Sequence, residues 1–401
     1  MAWPLPKSGP QHEAPKTFRA CSAVHSSESG QRSRESWNLD SRDIDAFGEK
    51  TPVPLEAILL TMLMRELAGD RGPVPTFEDF FVTPMKYHLA SLCDIYRVVT
   101  AFTISPPSGS SAWFAESEVR LDYGFLCSIM NISYLMAHRV WRAGVADPAR
   151  PTWLSRLKTN RAERRVRDQI WTELRYLGRS EDSWTLTASA LALSGGKYAL
   201  ALRMAKASLA FVVGHELAHA SYSHAKSGPL ADARQWSLDI VDIALREIDS
   251  ASYGDLAIIK DWYVRQANQA DIRQSWSEEL FADRVGMLLA ENVWKSSDLF
   301  VRLGAPVVLG SLGWIDGTGR GLEKTLSPTH PPGRLRYAAL VPLMPYDITM
   351  AVPQNERQSV ARLVSITQQE YDKLLSRGWE WSGLVNRLSS RTSQGQPPLE
   401  W

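Results

Sequence analysis

The sequence predicts a mainly α-helical protein of the α+β class, with a small sheet or a single edge strand. Beyond residue 51, apolar residues recur every three or four positions in most segments, which is the period of a helix packed on a core. Residues 184–193 (WTLTASALAL) differ, because polar and apolar residues alternate there as in a half-buried strand. Loops containing Pro or Gly at 106–109 and 147–151 separate the helical segments.

The helical segments fall into two groups, one on each side of this strand. Those before it span residues 55–67, 77–96, 122–141 and 162–177, and those after it span 197–224, 233–248, 255–270 and 276–294. Ser275 stands where the last helix is predicted to begin, and Glu278 follows three residues later. This spacing predicts a capping box with Ser275 as the N-cap.

The first 50 residues have a different composition. They are rich in Ser, Arg, Pro, Glu and Gln and contain almost no aliphatic residues. Such a stretch buries too little apolar surface to offset the entropy lost on ordering. We therefore expect a disordered tail, in which His12 and His25 are solvated.

Charge and cysteine usage limit the classes of function. The 401 residues include 45 basic and 44 acidic ones, and a net charge of +1 does not favour nucleic acid or an anionic membrane as a partner. The three cysteines (Cys21, Cys93 and Cys127) form neither a disulfide framework nor a zinc-binding spacing. No secretory signal or membrane span is predicted. These features together indicate a cytoplasmic protein.

Residues 211–220 (FVVGHELAHA) carry the first chemical motif. His215 and His219 are four positions apart, so on a helix they share one face and can bind one metal ion together. Glu216 lies beside them, where it can accept a proton from a metal-bound water. The alternative is a helix with two histidines that face the core or solvent, so the interpretation needs a third ligand.

Residues 275–290 (SWSEELFADRVGMLLA) supply that candidate. Glu279, Ala282, Asp283 and Gly286 lie on one stripe of the predicted helix. Small residues between carboxylates suit a helix packed closely against the metal-bearing one. Glu279 would complete a three-ligand zinc site, and Asp283 would accept the free ring N–H of a ligating histidine. A solvated acidic edge is the alternative.

These motifs resemble the gluzincin metallopeptidases, in particular the group of the CAAX prenyl proteases and the HtpX-like peptidases. That group has HExxH, then a distant ExxAD, then a late histidine followed by proline and arginine. The corresponding segments here are HELAH at 215–219, ELFAD at 279–283 and THPPGRLR at 329–336. The membrane helices of that group are absent, so the phage-exclusion peptidase Lit is an equally good comparison. The resemblance implies a zincin-like fold and one Zn²⁺ per chain.

The late segment supplies two further candidates. By resemblance, His330 lies near the active-site cleft and Arg336 anchors the segment. Pro331 and Pro332 also stiffen the backbone after His330, which would hold its side chain for catalysis. A simple surface turn is the alternative. His224, which also matches a histidine of the group, is expected to cap or pack rather than to act in catalysis.

The sequence thus predicts a zinc-dependent endopeptidase acting on a protein or peptide substrate, with His215, His219 and Glu279 as ligands and Glu216 and His330 in catalysis. We expect a tail at 1–50, a helical region at 51–180, the peptidase core at 181–345, and C-terminal helices with a polar tail at 346–401. Residues 184–193 are the expected substrate-binding strand. Two other functions remain open. One is a zinc-stabilised regulatory protein without turnover, and the other is nucleic-acid binding through the basic segment 156–179. The substrate and oligomeric state are not predicted.

Overall fold

The computed structural model describes a mainly helical protein, as the periodicity predicts. The residues that it describes all lie in the unit Ile58–Trp401. They are 73–93, 101–105, 112–115, 118–122, 196–294, 301, 303–316 and 326–340, with scattered single positions elsewhere. The predicted tail at 1–50, the basic segment 156–179 and the predicted strand 184–193 lie outside them.

Seven α-helices are bounded within the described residues. After a π-helical turn (Glu78–Val82) they are α1 (Thr83–Cys93), α2 (Gly196–His219), α3 (Gly228–Ser250), α4 (Gly254–Val264), α5 (Gln269–Trp294), α6 (Gly304–Asp316) and α7 (Gly333–Leu340). A short 3₁₀ helix, Tyr222–His224, follows α2. The chain leaves the α-helical path because Ala220 and Ser221 donate to the carbonyls three residues back, those of Leu217 and Ala218.

A three-stranded sheet precedes α2 in the chain. Its strands are β1 (Ala101–Ser105), β2 (Ala112–Ala115) and β3 (Glu118–Asp122), in the order β1-β3-β2. β3 pairs in parallel with β1 and antiparallel with β2. Only two residues join β2 to β3, so this pair is a tight hairpin. Both strands of the hairpin contact α2.

α2 is the central helix of the described core. It packs against α5, α6, α1 and the sheet, which explains why its sequence is apolar on nearly every side before His215. The start of α6 approaches it closely, because a Cβ on Gly304 would collide with the carbonyl oxygen of Ala207. The helix that carries His215 is therefore held from several sides.

An aromatic cluster closes the far end of α5. The ring of Trp294 lies 5.6 Å from that of Phe81 and 6.3 Å from that of Phe80. Phe81 is fully buried and also contacts Phe77. The last turn of α5 is thus covered by the π-helical turn that precedes α1.

The predicted start of α5 is wrong. The helix begins at Gln269, and the amide of Ile272 already donates to the carbonyl of Asn268. Ser275 is therefore inside the helix, where its amide is not free for a capping box, and Glu278 cannot be residue N3. The hydrophobic side chains of Ile272 and Trp276, both buried against the core, extend the helix upstream of the predicted cap.

None of the helices in the described part of the chain combines the length and the apolarity that a membrane crossing requires.

Candidate metal centre

α2 and α5 pack together and bring the two motifs face to face. The Nε2 atoms of His215 and His219 lie 3.1 Å apart, with their rings at 88°. The Glu279 carboxylate faces both, with Oε2 3.5 Å from His215 Nε2 and Oε1 3.5 Å from His219 Nε2. Candidate ligand atoms of these three residues all lie within 4.8 Å of one another. They form a possible metal site.

The donor set fits a divalent metal ion. Two imidazole nitrogens and one carboxylate leave an open fourth position, as catalytic zinc sites require. Oε2 of Glu279 is buried and makes no hydrogen bond within the described part of the chain. His215 Nε2 lies 3.5 Å from this oxygen without hydrogen-bond geometry, so a bound cation would further offset its desolvation cost. The residues present therefore fit a divalent metal ion.

A second carboxylate supports the first histidine. Nδ1 of His215 lies 3.0 Å from Oδ1 of Asp283, one turn along α5 from Glu279. Arg336, on α7, donates to both oxygens of Asp283, at 2.8 and 2.6 Å. Its Nη1 also lies 3.3 Å from Oε2 of Glu279. Arg336 thus connects the late segment to both Glu279 and Asp283 of α5.

Electrostatics keeps these carboxylates ionised despite burial. Burial alone would raise the pKa of Glu279, but Arg336 and then His215 and His219 outweigh it and hold that pKa well below its usual range. The pKa of Asp283 is lowered in the same way, against burial, by Arg336 and His215. Burial would lower the pKa of His215, whereas Asp283 and Glu279 raise it to about 10. The same two carboxylates would favour a cation bound at this point.

Glu216 is buried beside this cluster, with only 6% of its surface exposed. Burial raises the pKa of its carboxyl, and the neighbouring His215 and His219 oppose that shift. Both of the Arg336 hydrogen bonds described above go to Asp283 and not to Glu216.

His330 stands at the open side of the cluster. Its Nε2 lies 3.4 Å from Oε1 of Glu279, and its side chain is 59% exposed. It does not belong to the group whose ligand atoms lie within 4.8 Å. The loop that carries it is fixed to α5, because Trp276 Nε1 donates to the carbonyl of Ser327 at 3.3 Å.

Two neighbours of the site were not assigned to it by the sequence. Oε1 of Glu278 lies 3.6 Å from Nδ1 of His219, so Glu278 faces a histidine instead of capping its own helix. Thr329 Oγ1 lies 2.8 Å from Nδ1 of His330. Their positions next to Glu279 and His330 in the sequence are the signal that could have found them. His224 lies exposed in the 3₁₀ helix, outside the cluster.

Residues 193–343 match the model of Peptidase family M48. This segment is similar to the M48 metallopeptidases. The matched segment contains α2 to α7 and therefore every residue of the site described above. The similarity indicates a divalent metal, typically zinc. No curated protein and no solved structure gives a significant match to the chain.

Proposed function

We propose that this protein is a zinc-dependent endopeptidase that hydrolyses peptide bonds within a protein substrate. The observation that carries the proposal is the convergence of His215, His219 and the Glu279 carboxylate on one point. The match to an M48 peptidase over the same residues supports it. A cytoplasmic location and a protein substrate are part of the proposal.

His215, His219 and Glu279 would hold the zinc ion, and Asp283 would fix the orientation of His215. When bound, zinc supplies a Lewis acid that polarises the scissile carbonyl and makes water more acidic. Arg336 keeps Asp283 and Glu279 ionised, so that both remain acceptors. The site is thus organised before a substrate arrives.

Glu216 is the proposed proton carrier. It follows His215 on α2 and is buried beside both histidines, so its carboxylate can accept a proton from the attacking water. The same group then donates this proton to the leaving amine. A glutamine at this position has nearly the same shape but cannot perform either step.

His330 is the proposed hydrogen-bond donor to the substrate. Its exposed imidazole lies on the open side of the site, where a peptide carbonyl can reach it. A donor placed there would stabilise the negative charge that develops on the carbonyl oxygen. Replacing His330 by Gln is therefore expected to lower kcat on the order of 10²–10³-fold.

The test compares cells that produce the wild-type protein with cells that produce Glu216→Gln. New protein N-termini are mapped by mass spectrometry, and zinc is measured in both purified proteins. We expect termini that appear only with the wild type, at equal zinc content. Asp261→Asn makes the same change from carboxylate to amide at an exposed position of α4 and should leave the termini unchanged. Identical termini for wild type and Glu216→Gln would instead favour a zinc-stabilised regulatory protein without turnover.

A further inference from the structure

Three imidazoles turn their Nε2 atoms toward Glu279, but the contacts of their Nδ1 atoms differ. Nδ1 of His215 faces Asp283, and Nδ1 of His219 faces Glu278. An ionised carboxylate can only accept a hydrogen bond, so Asp283, 3.0 Å away, favours a hydrogen on Nδ1 of His215 when that ring is neutral. Nε2 of His215 then presents a lone pair, which is the form that binds a metal ion. Glu278 lies 3.6 Å from Nδ1 of His219, which is beyond hydrogen-bond distance.

The partner of His330 is a hydroxyl group, which can donate or accept. Oγ1 of Thr329 lies 2.8 Å from Nδ1 of His330 and 2.9 Å from Oγ of Ser327. The amide of Thr329 donates to the same Ser327 oxygen, at 3.2 Å. Because that contact uses Ser327 Oγ as an acceptor, its own hydrogen is free to point at Thr329. The hydroxyl of Thr329 can then donate to His330.

The contact of the other ring nitrogen of His330 sets the donor-to-acceptor direction of these hydrogen bonds. Nε2 of His330 faces Oε1 of Glu279, which is an acceptor. The favourable arrangement places a hydrogen on Nε2 and a lone pair on Nδ1. That lone pair requires a donor, and the Thr329 hydroxyl is at hydrogen-bond distance from it.

We propose that Ser327 and Thr329 are positioning residues that hold His330 with its Nε2–H directed into the site, as the donor to the substrate carbonyl oxygen. Hydrogen bonds run from the Ser327 hydroxyl to Thr329, and from the Thr329 hydroxyl to His330. Trp276 holds Ser327, the first residue of this series of hydrogen bonds, by donating to the Ser327 carbonyl. That His330 donates to a substrate rests on the proposed function. The tautomer and orientation of its imidazole can be measured without a substrate.

The experiment uses the zinc-loaded full chain labelled with ¹⁵N-histidine and long-range ¹H–¹⁵N correlation spectra, with His330→Gln to assign the His330 signals. We expect an unprotonated Nδ1 and a protonated Nε2 for His330. Thr329→Val should abolish this single form and give mixed tautomers, whereas Thr329→Ser should retain it. Thr76→Val makes the same substitution at an exposed position before the π-helical turn, and as the matched control it should leave the His330 signals unchanged. A protonated Nδ1 in the wild type, or unchanged His330 signals in Thr329→Val, would overturn the proposal.

Kinetics distinguishes this proposal from the proposed function. With a peptide identified from the mapped termini, Thr329→Val should lower kcat by on the order of 10- to 100-fold with KM and zinc content unchanged. Thr329→Ser should restore kcat. An active enzyme whose kcat is insensitive to Thr329→Val would refute the positioning role alone. The expected spectra in a protein that cleaves nothing would refute the peptidase and leave the hydrogen-bond chain in place.

Discussion

Gly214 and Gly286 face each other where α2 crosses α5. A Cβ on Gly214 would lie 2.6 Å from the carbonyl oxygen of Gly286, and a Cβ on Gly286 would lie 2.5 Å from the amide nitrogen of His215. Both distances are too short for any side chain, so the two backbones touch. The contact adjoins His215 and lies on the same face of α5 as Glu279, two turns away. It therefore sets the separation at which the carboxylate can face the imidazoles.

Gly286→Ala is expected to force α2 and α5 apart. The free energy of unfolding should fall by about 1–3 kcal/mol, as for an overpacked core, and zinc affinity should fall because Glu279 moves away from the histidines. Thermal unfolding and zinc content measure the two effects. Gly228→Ala is the control, because Gly228 has a φ of +63° but an added Cβ would meet no atom within 4 Å. It should cost about 1–2 kcal/mol and leave zinc stoichiometric. Normal zinc affinity in Gly286→Ala would show that the spacing is not critical.

Metal content gives the most direct prediction. We expect one zinc ion per chain by elemental analysis and its loss in His215→Ala or His219→Ala, because two remaining ligands bind too weakly. His224→Ala removes a histidine outside the cluster and should keep the metal. Protein purified without chelator that contains no stoichiometric metal would contradict the proposed site.

The adjacent glutamates of α5 should behave differently. Glu279→Ala should abolish zinc binding, since it removes a proposed ligand. Glu278→Gln should weaken zinc binding by no more than about tenfold, because Glu278 is half exposed and lies 3.6 Å from His219 Nδ1. Its free energy of unfolding should stay within about 0.5 kcal/mol of wild type, as for a surface substitution without a cap. Competition with a chelating dye and urea unfolding measure these effects. A larger loss of stability in Glu278→Gln would contradict this account.

The buried ion pair between Arg336 and Asp283 gives a prediction about stability. Arg336→Ala removes the guanidinium that donates to both oxygens of the fully buried Asp283 carboxylate, and should cost about 3–5 kcal/mol. Replacing both residues by Leu should recover much of that loss in urea unfolding, whereas zinc binding should stay weak. Arg273→Ala breaks a comparable pair with Asp242 whose side chains are more than 40% exposed, and should cost less than about 1 kcal/mol. Equal losses for the two single variants would contradict this account.

The mainly helical class could be predicted because helix periodicity is a feature of short segments. The pairing of the two motif helices could be predicted because each segment places its candidate ligands on one helix face. His215, His219, Glu279 and Asp283 share helix faces at spacings of about four residues, so helix geometry alone relates them within each segment. The small Gly214 and Gly286 added the hint that the two helices touch.

Other features depend on partners far away in the sequence. Ser275 and Glu278 have the spacing of a capping box, but burial of Ile272 and Trp276 continues the helix through the predicted cap. Tertiary packing outweighs a local capping preference of about 1 kcal/mol. The partnership of Glu278 with His219 also appears only after α2 and α5 are packed. No local pattern marks the hairpin of β2 and β3 as a neighbour of α2.

The aromatic cluster at the end of α5 has a consequence for where this protein can be divided. The family similarity begins at residue 193, and Trp294 lies within the similar segment. The rings of Phe80 and Phe81 cover Trp294, yet both residues lie more than a hundred positions before residue 193. A fragment starting at 193 would expose this end of the helix that carries Glu279, and we expect it to self-associate. The residue at which the family similarity begins is therefore not expected to be the start of a segment that folds by itself. The residues upstream of position 193 therefore cover part of the longest described helix.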